Sequence, residues 1–141
     1  LLPWSLKADL EGGASVELKA RSFEDAVVLS PAGRIDHNTA EAFQSALMTH
    51  VQACGQSGTA IVLDLGSIDY MSSVGLRVLM VAAKQSKKDD GKIVVAAMQP
   101  GMQEIFEISR FNFVYEAFAA VADALASISP AAAEAWSTAE G

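Results

Sequence analysis

The chain has 141 residues, a length that suits one domain and buries enough surface to build a core without disulfides or metals. Hydrophobic residues make up 51% and charged residues 19%, which excludes a disordered chain, and the net charge of −7 argues against nucleic acid or an anionic membrane as the main partner. No apolar run approaches the roughly 18 residues that span a bilayer, and the lone Cys54 cannot form an internal disulfide, so a reducing cytoplasm is the expected home.

In chain order, the sequence opens on Leu-Leu-Pro-Trp without an initiator methionine, and residues 1–13 are set aside as an N-terminal extension without clear period, with Gly12-Gly13 as a hinge. Val16, Leu18 and Ala20 alternate with Glu17, Lys19 and Arg21, which predicts a half-exposed strand. After a turn at 22–25, Ala26 to Leu29 predicts a more buried strand antiparallel to it, and Pro31 weakens the ladder. Asn38 and Glu41 have the spacing of a capping box, and Ala40, Phe43, Ala46 and Leu47 form the stripe of a first helix ending about Val51. Cys54 to Thr59, with two glycines, is expected to be a loop.

Ile61 to Leu65 is an almost continuous apolar run, as in a strand covered on both faces. Gly66-Ser67 breaks the run, and Leu76, Leu79, Met80 and Ala83 then mark one stripe of a second helix. Arg77, Lys84 and Lys88 lie on a wet basic side. Ser72 suits the N-cap, where its oxygen could accept from an unpaired amide, and Ser73 falls in the first turn at the positive end of the helix dipole. From the residues alone, both serines read as helix-start caps, a common use of serine. Ile93 to Ala97 is a buried strand, Pro100 opens a helix through Met102, Ile105 and Phe106, and Phe113 to Tyr115 suggests a short last strand. Phe118, Val121, Leu125 and Ile128 line a final helix, and residues 130–141 form a frayed or loosely helical tail. The order β-β-α-β-α-β-α-β-α implies an α/β fold with parallel pairing through right-handed crossovers and an antiparallel outer hairpin.

Catalytic chemistry is thin. His37 and His50 have no neighbouring cysteine ligands, so no metal site is expected, and neither phosphate-cradling glycine motif is present, so no cofactor is expected. Asp36, Asp64 and Asp69 lack the nucleophile, base and orienting group that would make them an active site, so no catalytic residue is assigned.

The segment GRIDHNTAEAF, from Gly33 to Phe43, resembles the G-x-L-D-x-x-T-A-E segment of STAS domains, the fold of bacterial anti-sigma factor antagonists. LDLGSIDYMSSVGLRVL, from Leu63 to Leu79, is similar to that family's second motif, in which a strand leads through D-S-S-G-L into a helix. The resemblance covers residues 14–129. It implies a mixed, mostly parallel sheet of four to five strands carrying about four helices, with 1–13 and 130–141 as extensions. It also implies a transcription regulator that binds an anti-sigma factor with serine kinase activity, releases it on phosphorylation and is restored by a phosphatase. The phosphoacceptor position falls on Ser73, two residues before Gly75. Asp36 matches the acid after the early glycine, and Asp36, His37, Asn38, Ser72, Val74, Gly75 and Leu76 are the expected partner-binding residues. Two positions depart from the pattern: Ser72 stands where Asp is common, and Val74 where Ser is frequent. The alternative is a STAS module that docks without being switched, as a scaffold or accessory subunit of a sensor complex or of a lipid or anion transport system.

Overall fold

Runs such as Ile61-Val62-Leu63 are apolar at every position because the sheet they enter is covered on both sides. Val27, Leu29, Ile61, Leu63 and Val95 face one buried cluster, while Val28, Val62, Val94 and Ala96 face the other. The computed structural model describes residues 4–9 and 15–140, with side chains from 17 to 139. Among them, β1 (Trp4–Asp9), β2 (Ser15–Phe23), β3 (Ala26–Ile35), β4 (Ala60–Asp64), β5 (Ser67–Met71), β6 (Ile93–Ala96) and β7 (Ala117–Phe118) form one sheet. The helices are α1 (Ala40–Ser57), α2 (Ser73–Lys88), α3 (Pro100–Ile108), α4 (Val121–Ile128) and α5 (Pro130–Glu140). Strand order is β1-β2-β3-β4-β6-β7, with β5 paired to β3 off this path. The pairs β1–β2 and β2–β3 are antiparallel and the others parallel. This is the mixed, mostly parallel α/β sheet expected, with more strands and one more helix. Phe43 and Leu47 of α1, Leu79 of α2 and Phe106 of α3 fill one side of the sheet; Val121, Leu125 and Ala132 of α4 and α5 fill the other.

Several elements differ from the sequence reading. β1 lies in the stretch set aside as an extension and pairs with β2 from Trp4↔Ala20 to Asp9↔Ser15. The hinge expected at Gly12-Gly13 lies outside the described residues. The second antiparallel strand does not stop at Leu29: β3 pairs with β4 through Leu29 and then with β5 from Ala32 to Ile35. Pro31, which has no amide to donate, stands in the gap between these two pairings. β5 escaped notice because a bulge breaks its period: Gly33 pairs with Ile68 but Arg34 with Tyr70, leaving Asp69 as the extra residue. Ile68 and Met71 are consequently both buried, three positions apart.

The helix read as ending near Val51 continues through the expected loop to Ser57, where Gly58 closes it with a left-handed φ of 75°. The aromatic alternation at Phe111, Phe113 and Tyr115 mimics a strand, but Phe111–Phe113 is a 3-10 turn entered through Arg110 at φ 62°, and the last strand is β7. Phe111 and Tyr115 point inward because they pack on Phe106, with ring centroids at 5.6 and 6.2 Å. The tail is helix α5, docked rather than loose. Ala132 is fully buried, Trp136 meets the edge of Phe23 at 5.3 Å, and Ser129 accepts the Ala132 amide while donating to Asp25.

Candidate functional site

β3 and β5 run parallel and end together, with Ile35 beside Met71, so the loops leaving them emerge as neighbours. The Ser72 amide donates to the Ile35 carbonyl at 2.9 Å and ties the start of α2 to the segment that leads into α1. The expected residues 36–38 and 72–76 are therefore brought to one end of the sheet.

Asp36 organises the first loop. Its Oδ1 accepts the Asn38 amide at 2.9 Å and its Oδ2 accepts Arg34 Nε at 2.9 Å. The Asn38 hydrogen bond, and after it Arg34, hold the Asp36 carboxyl below its ordinary pKa, so it is ionised at neutral pH. The expected capping box is absent. Asn38 spends its amide on Asp36, and Thr39 occupies the N-cap with its hydroxyl turned back to accept from Asp36 N and donate to the Arg34 carbonyl. His37 and Asn38 are exposed.

In the second loop Ser72 occupies the N-cap of α2, but its hydroxyl makes no capping bond and finds no partner among the described residues. Ser73 is the first residue of α2 and is exposed, and the first turn contains no acidic side chain. Unpaired first-turn amides and the helix dipole thus give this end a positive character that no acidic side chain of the first turn offsets. Val74 is 41% exposed, whereas Leu76 turns into the core. Gly75 is there for closeness: a Cβ would lie 2.5 Å from Met71 Cγ and 2.8 Å from Ile35 Cγ2. Only glycine lets α2 start so near the strand ends.

Two residues of this surface were not singled out from the sequence. The Arg34 guanidinium lies 4.2 Å from the Tyr70 ring centroid while it pairs with Asp36, and Tyr70 is 40% exposed. Their meeting depends on the bulged β3–β5 register, which no local pattern announces. Elsewhere, Asp64 accepts from Ser30 Oγ and Gly66 N and orders the loop after β4, and Asp69 is exposed. His50 lies in α1, where burial lowers its pKa, and Cys54, also in α1, has its thiol pKa raised by burial. Among the described residues no group of three His, Cys, Asp or Glu could hold a metal, and no helix is long and apolar enough to cross a membrane.

The two loops thus form one partly exposed surface at the carboxyl ends of β3 and β5. The STAS domain family matches this chain over residues 17–124. BtrV of Bordetella bronchiseptica, a candidate anti-sigma factor antagonist, is 36% identical over 83 residues, 59% of this chain and 69% of its own length. The anti-sigma-B factor antagonist of Listeria monocytogenes is 28% identical over 102 residues, 72% of this chain and 86% of its own. The crystal structure of an anti-sigma factor antagonist from Mycobacterium paratuberculosis has the same fold, with a TM-score of 0.69 at 24% identity, covering 79% of this chain and 92% of that one. The chain belongs to the STAS, anti-sigma factor antagonist family, whose members are non-enzymatic regulators.

Proposed function

We propose that this protein is a cytoplasmic regulator of transcription that binds an anti-sigma factor with serine kinase activity, and that phosphorylation of Ser73 by that kinase ends the binding. The observation that carries this reading is the exposure of Ser73 at the start of α2, in a loop tied to Asp36–Asn38 by the Ser72–Ile35 hydrogen bond. Phosphorylation adds about −1.5 to −2 charges, and the amides of a first turn without acidic side chains suit that anion within the fold. The penalty falls on the interface, where a dianion beside ionised Asp36 must be desolvated against a surface complementary to a hydroxyl. A phosphatase then restores the binding form.

Incubation with the cognate kinase and ATP, followed by peptide mass mapping, should place the phosphate on Ser73. Phosphate on Ser72 or Ser67 with Ser73 unmodified overturns the assignment. Asp36→Ala, if folded, should weaken partner binding. Ser72, standing where an acid is common, favours a second reading: a STAS module that docks without being switched, in a sensor or transport assembly. Loss of kinase modification with binding retained would select it.

A further inference from the structure

At the amino ends of β6 and β7, opposite the end that carries Ser73, the last turns of α2 and the segment before β7 enclose an open groove of about 380 Å³. Met80, Ala83, Ile93 and Val114 line it with apolar surface, and Phe113 stands at its edge 80% exposed. Lys84, Lys87 and Lys92 also line it, and Lys84 and Lys87 form no ion pair with any described residue. Lys92 reaches Glu116 at 3.5 Å through two half-exposed side chains, a contact that competes weakly with a new partner.

Lysines in a last helical turn offset the helix dipole, which accounts for Lys87 and Lys88. It does not account for Lys84 a turn earlier, for Lys92 beyond the helix, or for a phenylalanine left in water. A chain of net charge −7 has here gathered cations around an exposed aromatic. We propose that this groove docks an acidic amphipathic segment of a partner protein. Its bulky apolar side chains lie on Met80, Ile93 and Phe113, and its carboxylates meet Lys84 and Lys87. The floor supplies burial of a helix-in-groove kind, and the lysines select an acidic partner and speed its arrival. This surface is separate from the serine loop, so it is independent of whether Ser73 is a phosphoacceptor.

The probe is a synthetic helical peptide of about four turns, with Leu and Phe at positions i, i+3, i+4 and i+7 and Glu at the others. Its companion has Lys in place of every Glu. Titrated into the isotopically labelled protein, the Glu peptide should give saturable amide shifts at Met80, Lys84, Lys87, Ile93 and Val114, and little change at 36–38 and 72–76. Affinity should fall by about tenfold or more in the Lys84→Glu/Lys87→Glu variant. It should fall comparably in Phe113→Ser, and markedly as salt rises from about 0.1 to 1 M and the Debye length shrinks from ~10 to ~3 Å. Circular dichroism should match the parent for both variants, whose altered side chains are exposed. The proposal is overturned if no saturable shift occurs, if shifts scatter or centre on the serine loop, or if the Lys peptide binds as well. It is equally overturned if the groove residues respond only to protein concentration, as in self-association, or only to anionic phosphatidylglycerol vesicles.

Discussion

At the carboxyl ends of β3 and β5, exposed Tyr70 and Val74 lie among Arg34, Asp36 and Ser73; at the amino ends of β6 and β7, exposed Phe113 and Val114 lie among Lys84, Lys87 and Lys92. The first surface is held by the backbone. The Ser72–Ile35 bond, the Asp36 loop hydrogen bonds and the close approach at Gly75 tie down the backbone on either side of its serine. The second is held by what lies beneath it, with long, exposed cationic side chains above. On the proposed function, a surface built like the first registers the phosphate added to Ser73, because displacements there meet backbone. A surface built like the second selects by charge and tolerates variation in its ligand.

The largest expected effect separates the two directly. Phosphorylated Ser73 should cost about 2–5 kcal/mol of affinity for the anti-sigma factor, Ser73→Asp a smaller part of it, and Ser73→Ala none. Lys84→Glu should leave that affinity unchanged. Calorimetric titration of each form, with circular dichroism to verify the fold, makes the comparison. Equal binding by the phosphoprotein would remove the functional distinction between the ends.

Gly75→Ala tests the rigidity of the first surface. The added methyl must displace Met71 or Ile35 inside the core, so stability should fall by about 1–3 kcal/mol, read as a lower urea midpoint. A midpoint within error of the parent would mean that the close start of α2 is not demanded by packing.

Tyr115 supports the second surface from below, donating to the Leu79 carbonyl of α2 at 2.6 Å. Tyr115→Phe should cost about 0.5–1.5 kcal/mol. Burial raises the Tyr115 pKa, so the folded protein keeps this proton after the unfolded chain has lost it. The resulting stability is fully present below the unfolded value of about 10 and is lost as pH rises from there toward the folded value. Urea midpoints of the parent should fall over that alkaline range, and Tyr115→Phe should flatten the decline. The smallest effect is Lys84→Glu on stability, within about 0.5 kcal/mol, although the same change should sharply weaken the acidic peptide.

Where local pattern and tertiary role coincide, the sequence was legible. The β2–β3 hairpin, the doubly covered β4, the stripe of α2 and the proline-started α3 all follow from period and punctuation. β1 had a usable signal, since Trp4, Leu6 and Ala8 alternate with Ser5, Lys7 and Asp9. β5 had none, because its bulge puts Ile68 and Met71 on the inside together. Phe113 misled in the opposite sense: it continues a strand-like alternation, yet Arg110 turns the chain and leaves it in water. Residues 36–38 and 72–76 were legible as two motifs, whereas Arg34 and Tyr70 were not, since their contact spans two strands.

By itself the sequence determined most of the helices and buried strands from β2 to α4, though not β5, β7 or the end of α1, because apolar period and the residues that start and stop elements act over a few neighbours. It also determined that Ser73 would open a helix. Only the tertiary structure decided that β3 leaves β4 for β5, that α5 docks through Ala132 and Trp136, and that lysines of α2 meet Lys92 and Phe113 around one groove. Those outcomes depend on register and packing between residues far apart in the chain, and no local run of side chains encodes the distance between them.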